Sequence, residues 1–571
     1  MFKNATSFSQ PLYMWQISRD CDVNDMFLDA PCFVDVKILT HNFAHTNKMR
    51  YREYLKKVLD RLDAAQVYAE LLRYSDKHTA KYKRELEAVH PELKSPVCAV
   101  AESGKRKPRS KAELIELLNM VIQLSLDKID TSLITDMEGL FKGSKCRDFT
   151  GLETWDTSNV VTMKSMFAGA EYFDHDISGW DVSNVRDMSH MFDGARRFNQ
   201  PLDDWNVSNV QNMHEMFAWT RKFNQPLNSW NVSNVRNMSR MFAWASKFNK
   251  PLNDWNVSNV QDMYEMFYYA EKFNQPLNNW NVSNVRKMTR MFGGAEKFNK
   301  PLNDWNVSNV ENMVDMFYNA SSFNQPLDRW DVSKVKDMTC MFYGASSFNK
   351  PVGTWNVSAV TDMTRMFDGA EKFNQPLNDW DVSNVQDMSK MFCNALSFNQ
   401  PLNKWNVSNV KSMTQMFDNA GKFNQPLNDW NVSNVQDMSK MFCKASSFNQ
   451  PLNDWNVSNV ENMVQMFDDA SGFNQPLDRW DVSKVKDMTC MFYGATSFRQ
   501  PITAWKLCGQ STRDIFLDLP DYRDMESRVM CLAVLDGNYR EYELQEMIRI
   551  FGKKAVHDAL QIYGAKYGLK E

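Results

Sequence analysis

Fifteen tryptophans stand 25 residues apart, from Trp155, Trp180 and Trp205 through to Trp505, without a slip. A comb of this kind restricts the chain to folds made by repeating one unit. One unit runs Trp205-Asn206-Val207-Ser208-Asn209-Val210, then Met213, Met216-Phe217, then Phe223-Asn224-Gln225-Pro226-Leu227. A propeller blade needs roughly 40 to 50 residues for its four strands, so a unit this short suits one coil of a solenoid. A single coil cannot cover its own apolar side chains, and its neighbours must bury both of its faces.

Within the unit, Pro226-Leu227-Asn228-Ser229-Trp230-Asn231-Val232 alternates apolar with polar residues, the pattern of a half-buried strand. Val235, Met238, Met241-Phe242 and Ala245 then recur at steps of three or four, which suits a helical turn. The expected fold is an α/β repeat solenoid with one short parallel strand and one short helical segment per coil. Asparagine follows phenylalanine in twelve successive units, Asn199 through Asn474. A second column runs through Asn159, Asn184 and Asn209, broken at Lys334, Ala359 and Lys484. Stacked amides are expected to bond the backbone of adjacent turns.

The pattern L-x-x-W-[ND]-V-S-N-V-x-x-M-x-x-M-F-x-x-A-x-x-F-N-x-P resembles the tryptophan-containing repeat of BspA-like leucine-rich-repeat surface proteins. Such repeats are known from mycoplasmal and other bacterial lipoproteins, large DNA viruses and protists. The likeness covers about 131–505 and the first 33 residues. It implies a leucine-rich-repeat-like solenoid used for adhesion or protein contact. Unlike the bacterial pattern, this sequence shows no secretory signal at Met1-Phe2-Lys3-Asn4, no lipid-attachment cysteine and no anchor. An intracellular setting, cytoplasmic or nuclear, or a virus particle is therefore expected.

Cysteines and sequons agree with that setting. Cys340 and Cys490 share one register position six units apart, and Cys393 and Cys443 share another two units apart. At about 4.8 Å per coil these pairs are too distant to bridge. Asn-Val-Ser recurs from Asn206 to Asn456, and a glycan acceptor on nearly every coil reads better as repeat structure.

Residues 1–33 form an N-terminal repeat and the start of the array, 129–505 the solenoid proper, and 34–128 an insertion within one coil. A helical stripe is expected from Tyr51 to Leu72, and a capping box at Ser110-Lys111-Ala112-Glu113 opens another helix. Between them lies a basic linker, Lys105, Arg106, Lys107, Arg109 and Lys111, with the composition of a nuclear-localisation signal, a nucleic-acid contact or a solvated linker. Residues 506–571 abandon the repeat. Leu544 to Phe551 and Val556 to Tyr563 read as two helices separated by Gly552, expected to cap the last coil.

No catalytic constellation appears, and no cofactor or metal is expected. His41 and His45 make the one i,i+4 histidine pair, without further ligands at metal spacing. Aspartates such as Asp187, Asp262 and Asp337 read as a solvated rim. Partner-reading positions should be those that vary between units. Trp219, Trp244 and Tyr269 share one position in consecutive coils, with Tyr268 beside the last. These rings form either a partner-binding ladder or a surface covered by the insertion or by the array itself. Arg197, Lys222, Lys247, Lys272 and Lys297 make a basic column, and Glu215, Arg240, Glu265, Arg290 and Asp315 an alternating ion ladder. The leading expectation is a non-enzymatic scaffold for protein–protein interaction. The alternatives are a structural component of a virus particle or cell envelope, and a nucleic-acid or glycan-binding adaptor.

Overall fold

A computed structural model describes residues 99–100, 105–120, 125–500 and 537–564, with single positions at 502, 505, 515, 529, 532 and 569. The stripe from Tyr51 to Leu72, the His41–His45 pair and the first 33 residues lie outside the described residues. The chain divides into two compact units. One takes in the described residues up to Met137 together with Asp148–Val160, and the other Glu138–Arg147 with those from Val161 onward.

In the first unit, β1 (Ala99–Val100) pairs antiparallel with β2 (Arg106–Lys107). Ser110 Oγ accepts the Glu113 N–H at 3.3 Å, and the Glu113 carboxylate accepts the Arg109 N–H at 2.7 Å. This reciprocal cap opens α1 (Lys111–Met120), which buries Leu114 and Leu117. The basic run is therefore not a free linker. Arg106 forms a parallel bridge with Ile129 and accepts the Asp130 N–H at 2.7 Å, so a hydrogen-bonded contact spans the boundary expected at 128/129.

The second unit is a stack of coils. Most contribute tryptophan, two valines, two methionines, two phenylalanines and an alanine to the interior, the coil of Trp205 having Thr220 for the alanine. In the coil of Trp230 these are Trp230, Val232, Val235, Met238, Met241, Phe242, Ala245 and Phe248, all buried. Identical rings pile on one another: Phe217 on Phe242 at 5.6 Å, and Trp230 on Trp255 at 6.3 Å, both near parallel. Every indole of the 25-residue comb from Trp205 to Trp505 has its N–H satisfied by the carbonyl 28 residues earlier, as Trp230 Nε1 donates to Leu202 at 2.8 Å. The aromatic ladder thus carries a buried polar atom without penalty.

The coil interior departs from the expected strand and helix. No strand forms over residues 226–232. Parallel contact between coils is a single-residue bridge, running Asp187, Asn212, Asn237 and Asp262. These side chains are not a solvated rim. Each is half-buried and accepts the N–H two residues on, as Asp187 Oδ1 does from Ser189 at 2.8 Å.

The segment read as helical is a train of turns. Met216, Ala218 and Thr220 donate to carbonyls three residues back, whereas Met213, Glu215, Phe217 and Trp219 donate to the next coil, at Asn237, Ser239, Met241 and Ala243. Alternate amides serve two directions, so i to i−4 bonding cannot propagate. The three-and-four spacing of buried residues survives because each turn still advances by about three residues. Two register positions per coil, those of Glu215 and Trp219, have positive φ, at 54° and 58°.

Past the array, the Phe492 N–H donates to Ile515 at 3.0 Å, as earlier coils donate to their successors. Then α2 (Gly537–Phe551) and α3 (Lys553–Tyr563) pack on each other across Gly552, burying Met547, Val556 and Ala559 with Val529 and Leu532. Among the described residues no helix is long and apolar enough to cross a membrane.

Candidate interaction surface

The register position of Trp219 demands a left-handed backbone in every coil. Elsewhere it holds Gly169, Gly194, Gly294, Gly344, Gly369 and Gly494, or Asn319, Asn394, Asn419 and Asp469, residues that tolerate it, and once Lys444. Trp219, Trp244 and Tyr269 occupy it with φ of 58°, 60° and 53°. A bulky ring there costs about 1–3 kcal/mol, three times in succession. All three are half-buried. Trp219 stacks on Trp244 at 4.5 Å and Trp244 on Tyr269 at 4.1 Å, within 8° of parallel. Tyr268 meets Tyr269 edge-on at 4.7 Å, and burial beside that ring pushes its phenol up to about 12. The four aromatics singled out in the sequence are one contiguous cluster.

Beside them, Lys222, Lys247, Lys272 and Lys297 are exposed, and no ion pair joins them to a described residue. Arg197 lies over the Tyr172 ring at 4.9 Å. The nearby acids do not neutralise this column: Glu171 faces Arg196 at 3.6 Å and Lys145 at 3.8 Å instead.

The ion ladder forms rung by rung. Arg240 contacts Glu215 at 3.0 Å and Glu265 at 2.7 Å, and Arg290 contacts Glu265 at 3.3 Å and Asp315 at 2.8 Å. Burial opposes the charge on Arg240, but hydrogen bonds to Glu215 and Glu265 outweigh it and raise its pKa. The ladder is more than a register device, because Glu265 is only 3% exposed.

In the basic run, Lys107 pairs with Asp130 at 3.3 Å and Lys111 with Asp136 at 3.1 Å. Lys105 and Arg106 are half-buried and Arg109 exposed. Two of the five charges expected to face a receptor or nucleic acid are thus tied down within their own unit.

The sequence matches the family described as "Mycoplasma protein of unknown function, DUF285" over residues 1–58, 114–227, 175–279, 201–301, 254–351, 326–430 and 422–520. The chain belongs to this family. A search of curated proteins found no match. Among solved structures, a chain of the "Crystal structure of TLR13-ssRNA13 complex" is similar at 9% identity, covering 69% of this chain and 75% of that one, with a TM-score of 0.17. The DUF285 stretches span the aromatic cluster, the ion ladder and the lysine column.

Two features of this DUF285 chain escaped the reading of its residues. Tyr318 and Tyr343, in the register of Tyr268, stack at 4.8 Å, with the Arg365 guanidinium 5.8 Å from the Tyr343 ring. His190, His214 and Glu215 place one ligand atom each within 4.8 Å of one another. Hydrogen bonds with Asp193 and then Glu215 push His190 up to about 9, and His190 in turn holds Glu215 down to about 2. Burial lowers His214. Local spacing hides this group, because its members lie 24 and 25 residues apart. Writing the units in register would have put His190 and Glu215 in one column.

Proposed function

We propose that this DUF285 chain is a non-enzymatic repeat scaffold that binds a protein partner around Trp219, Trp244, Tyr268 and Tyr269. The carrying observation is the occupation of three successive left-handed positions by half-exposed rings where the other coils, save that of Lys444, use glycine, asparagine or aspartate. Bulky rings set in three successive strained positions are a pointer to use rather than to folding. The resemblance of the unit to BspA-like repeats accords with protein contact.

The stacking favours protein over a glycan or a nucleic-acid base. Rings 4.5 and 4.1 Å apart already cover one another's faces, and a sugar or base would need those faces. Ring edges remain on offer, flanked by unpaired lysines, which suits an apolar partner segment bearing acidic residues.

The test replaces Trp219, Trp244 and Tyr269 together by glycine, the residue the backbone prefers. The triple variant should melt at or above the wild-type temperature and lose a partner that wild type captures by affinity. A variant that melts lower while retaining its partners would assign the rings to structure instead.

A further inference from the structure

We infer that His190, His214 and Glu215, with Asp193 beside His190, form a divalent-metal site, suited to zinc, that staples two consecutive coils. His190 and Asp193 come from the coil of Trp180, and His214 and Glu215 from the coil of Trp205. His190 Nδ1 lies 3.1 Å from Glu215 Oε2 and 3.7 Å from Asp193 Oδ2, and His214 Nε2 lies 3.4 Å from Glu215 Oε1. Four ligands held about 2.0–2.1 Å from a tetrahedral zinc ion stand roughly 3.3 Å apart along each edge. The 3.1 Å and 3.4 Å separations of the two imidazoles from Glu215 match such edges. The two imidazoles meet edge to face, with centroids 4.8 Å apart and planes at 88°.

The surroundings of His214 fix which nitrogen is bare. Ser239 Oγ donates to Asn237 Oδ1 at 2.6 Å, so towards His214 Nδ1, 2.7 Å away, that hydroxyl is an acceptor. The Ser239 carbonyl, 3.1 Å from the same nitrogen, is an acceptor too. Nδ1 must therefore carry the hydrogen, and in the neutral ring Nε2 presents its lone pair to the Glu215 carboxylate. A proton or a metal ion between them satisfies both atoms. A ring hydrogen donated to a backbone carbonyl is also how metal-bound histidines are oriented.

Charge and ligand type select the ion. Two imidazoles and one carboxylate, with the Asp193 carboxylate nearby and no thiolate, suit a borderline divalent ion. The carboxylates balance its charge, and Arg240, 3.0 Å from Glu215 Oε1, holds that side chain from the next rung. In the absence of metal a proton on His190 joins Asp193 and Glu215 in the same place. A divalent ion would bring a second positive charge and engage His214 as well.

The test is cobalt(II) titration of the full chain, freed of metal by chelation, followed by thermal melting with and without zinc. Wild type should develop visible ligand-field bands that saturate at one equivalent, without a thiolate charge-transfer band in the near ultraviolet. Zinc should raise its melting temperature. His190→Asn, which suits the left-handed position, and His214→Gln should abolish both effects, and Ser239→Ala should weaken binding about ten-fold or more. Glu215→Gln, a residue the same register position holds at Gln415 and Gln465, serves as a further ligand variant should a histidine variant lose its folded circular-dichroism spectrum. No band at one equivalent, or the same band in every variant that folds, would overturn the assignment.

Discussion

The side-chain carbonyl of Asn299 accepts the backbone N–H of Asn324, one coil further on, at 3.0 Å. The same oxygen takes the Gln325 amide at 2.9 Å. The relationship repeats from Asn199 to the Arg499 N–H above Asn474. Asn299→Ala would leave a half-buried amide without its partner, a loss of about 1–3 kcal/mol. Hydrogen exchange at the Asn324 amide should speed up, and a protection factor equal to wild type would show that the column is dispensable.

Two classes of ion pair should behave differently. Replacing Arg240 and Arg290 together by methionine leaves Glu265 buried without a cation, and should cost about 3 kcal/mol or more, little relieved by salt. Breaking the exposed Arg329–Asp304 pair, 2.9 Å apart, should cost under about 1 kcal/mol. Urea denaturation at low and high salt separates them.

Gly294 adopts φ of +70°, and a Cβ there would sit 2.8 Å from the Tyr269 ring. Gly294→Ala should lower the melting temperature through a destabilisation of about 1 kcal/mol or more. It should also displace Tyr269 and so weaken partner capture. Unchanged melting would mean that the ring can move aside freely.

Burial pushes the Asp368 carboxyl above its ordinary value, against the opposing hydrogen bond from Asn394 at 3.2 Å. An acid whose folded pKa is raised binds its proton more tightly when folded. Its stabilisation is complete below the unfolded value and is lost as pH rises through the folded one. Asp368→Asn should therefore melt higher than wild type at neutral pH, with the difference vanishing below about pH 4. A constant difference across that range would show that ionisation is not the cause.

Cys393 and Cys443 are each 5% exposed. Burial also pushes the Cys443 thiol up to about 12. Alkylation of both should be slow in the folded chain and rise to the rate of an ordinary thiol in denaturant. Rapid labelling of the native protein would contradict that burial.

The repeat and its buried positions were legible in the residues because a fixed period forces every Trp, Phe and Met of one register into the same environment. The ion ladder and the amide columns followed from the same logic, since stacked positions face each other. The backbone path was not legible. Steps of three and four describe a train of turns as well as they describe a helix, and the left-handed positions are signalled only weakly, by scattered Gly and Asn. The histidine cluster stayed hidden because its members are neighbours between coils and strangers along the chain.

The split use of amides in the Met–Phe segment, half turned inward and half handed forward, gives each coil a front and a back of fixed polarity. Any coil can follow any other, whatever its variable residues, provided the period is kept. A gene for such an array can lengthen or shorten by whole units through unequal recombination without a new folding problem. The near-duplication of Asn303–Pro351 at Asn453–Pro501 has the form that such an event would leave.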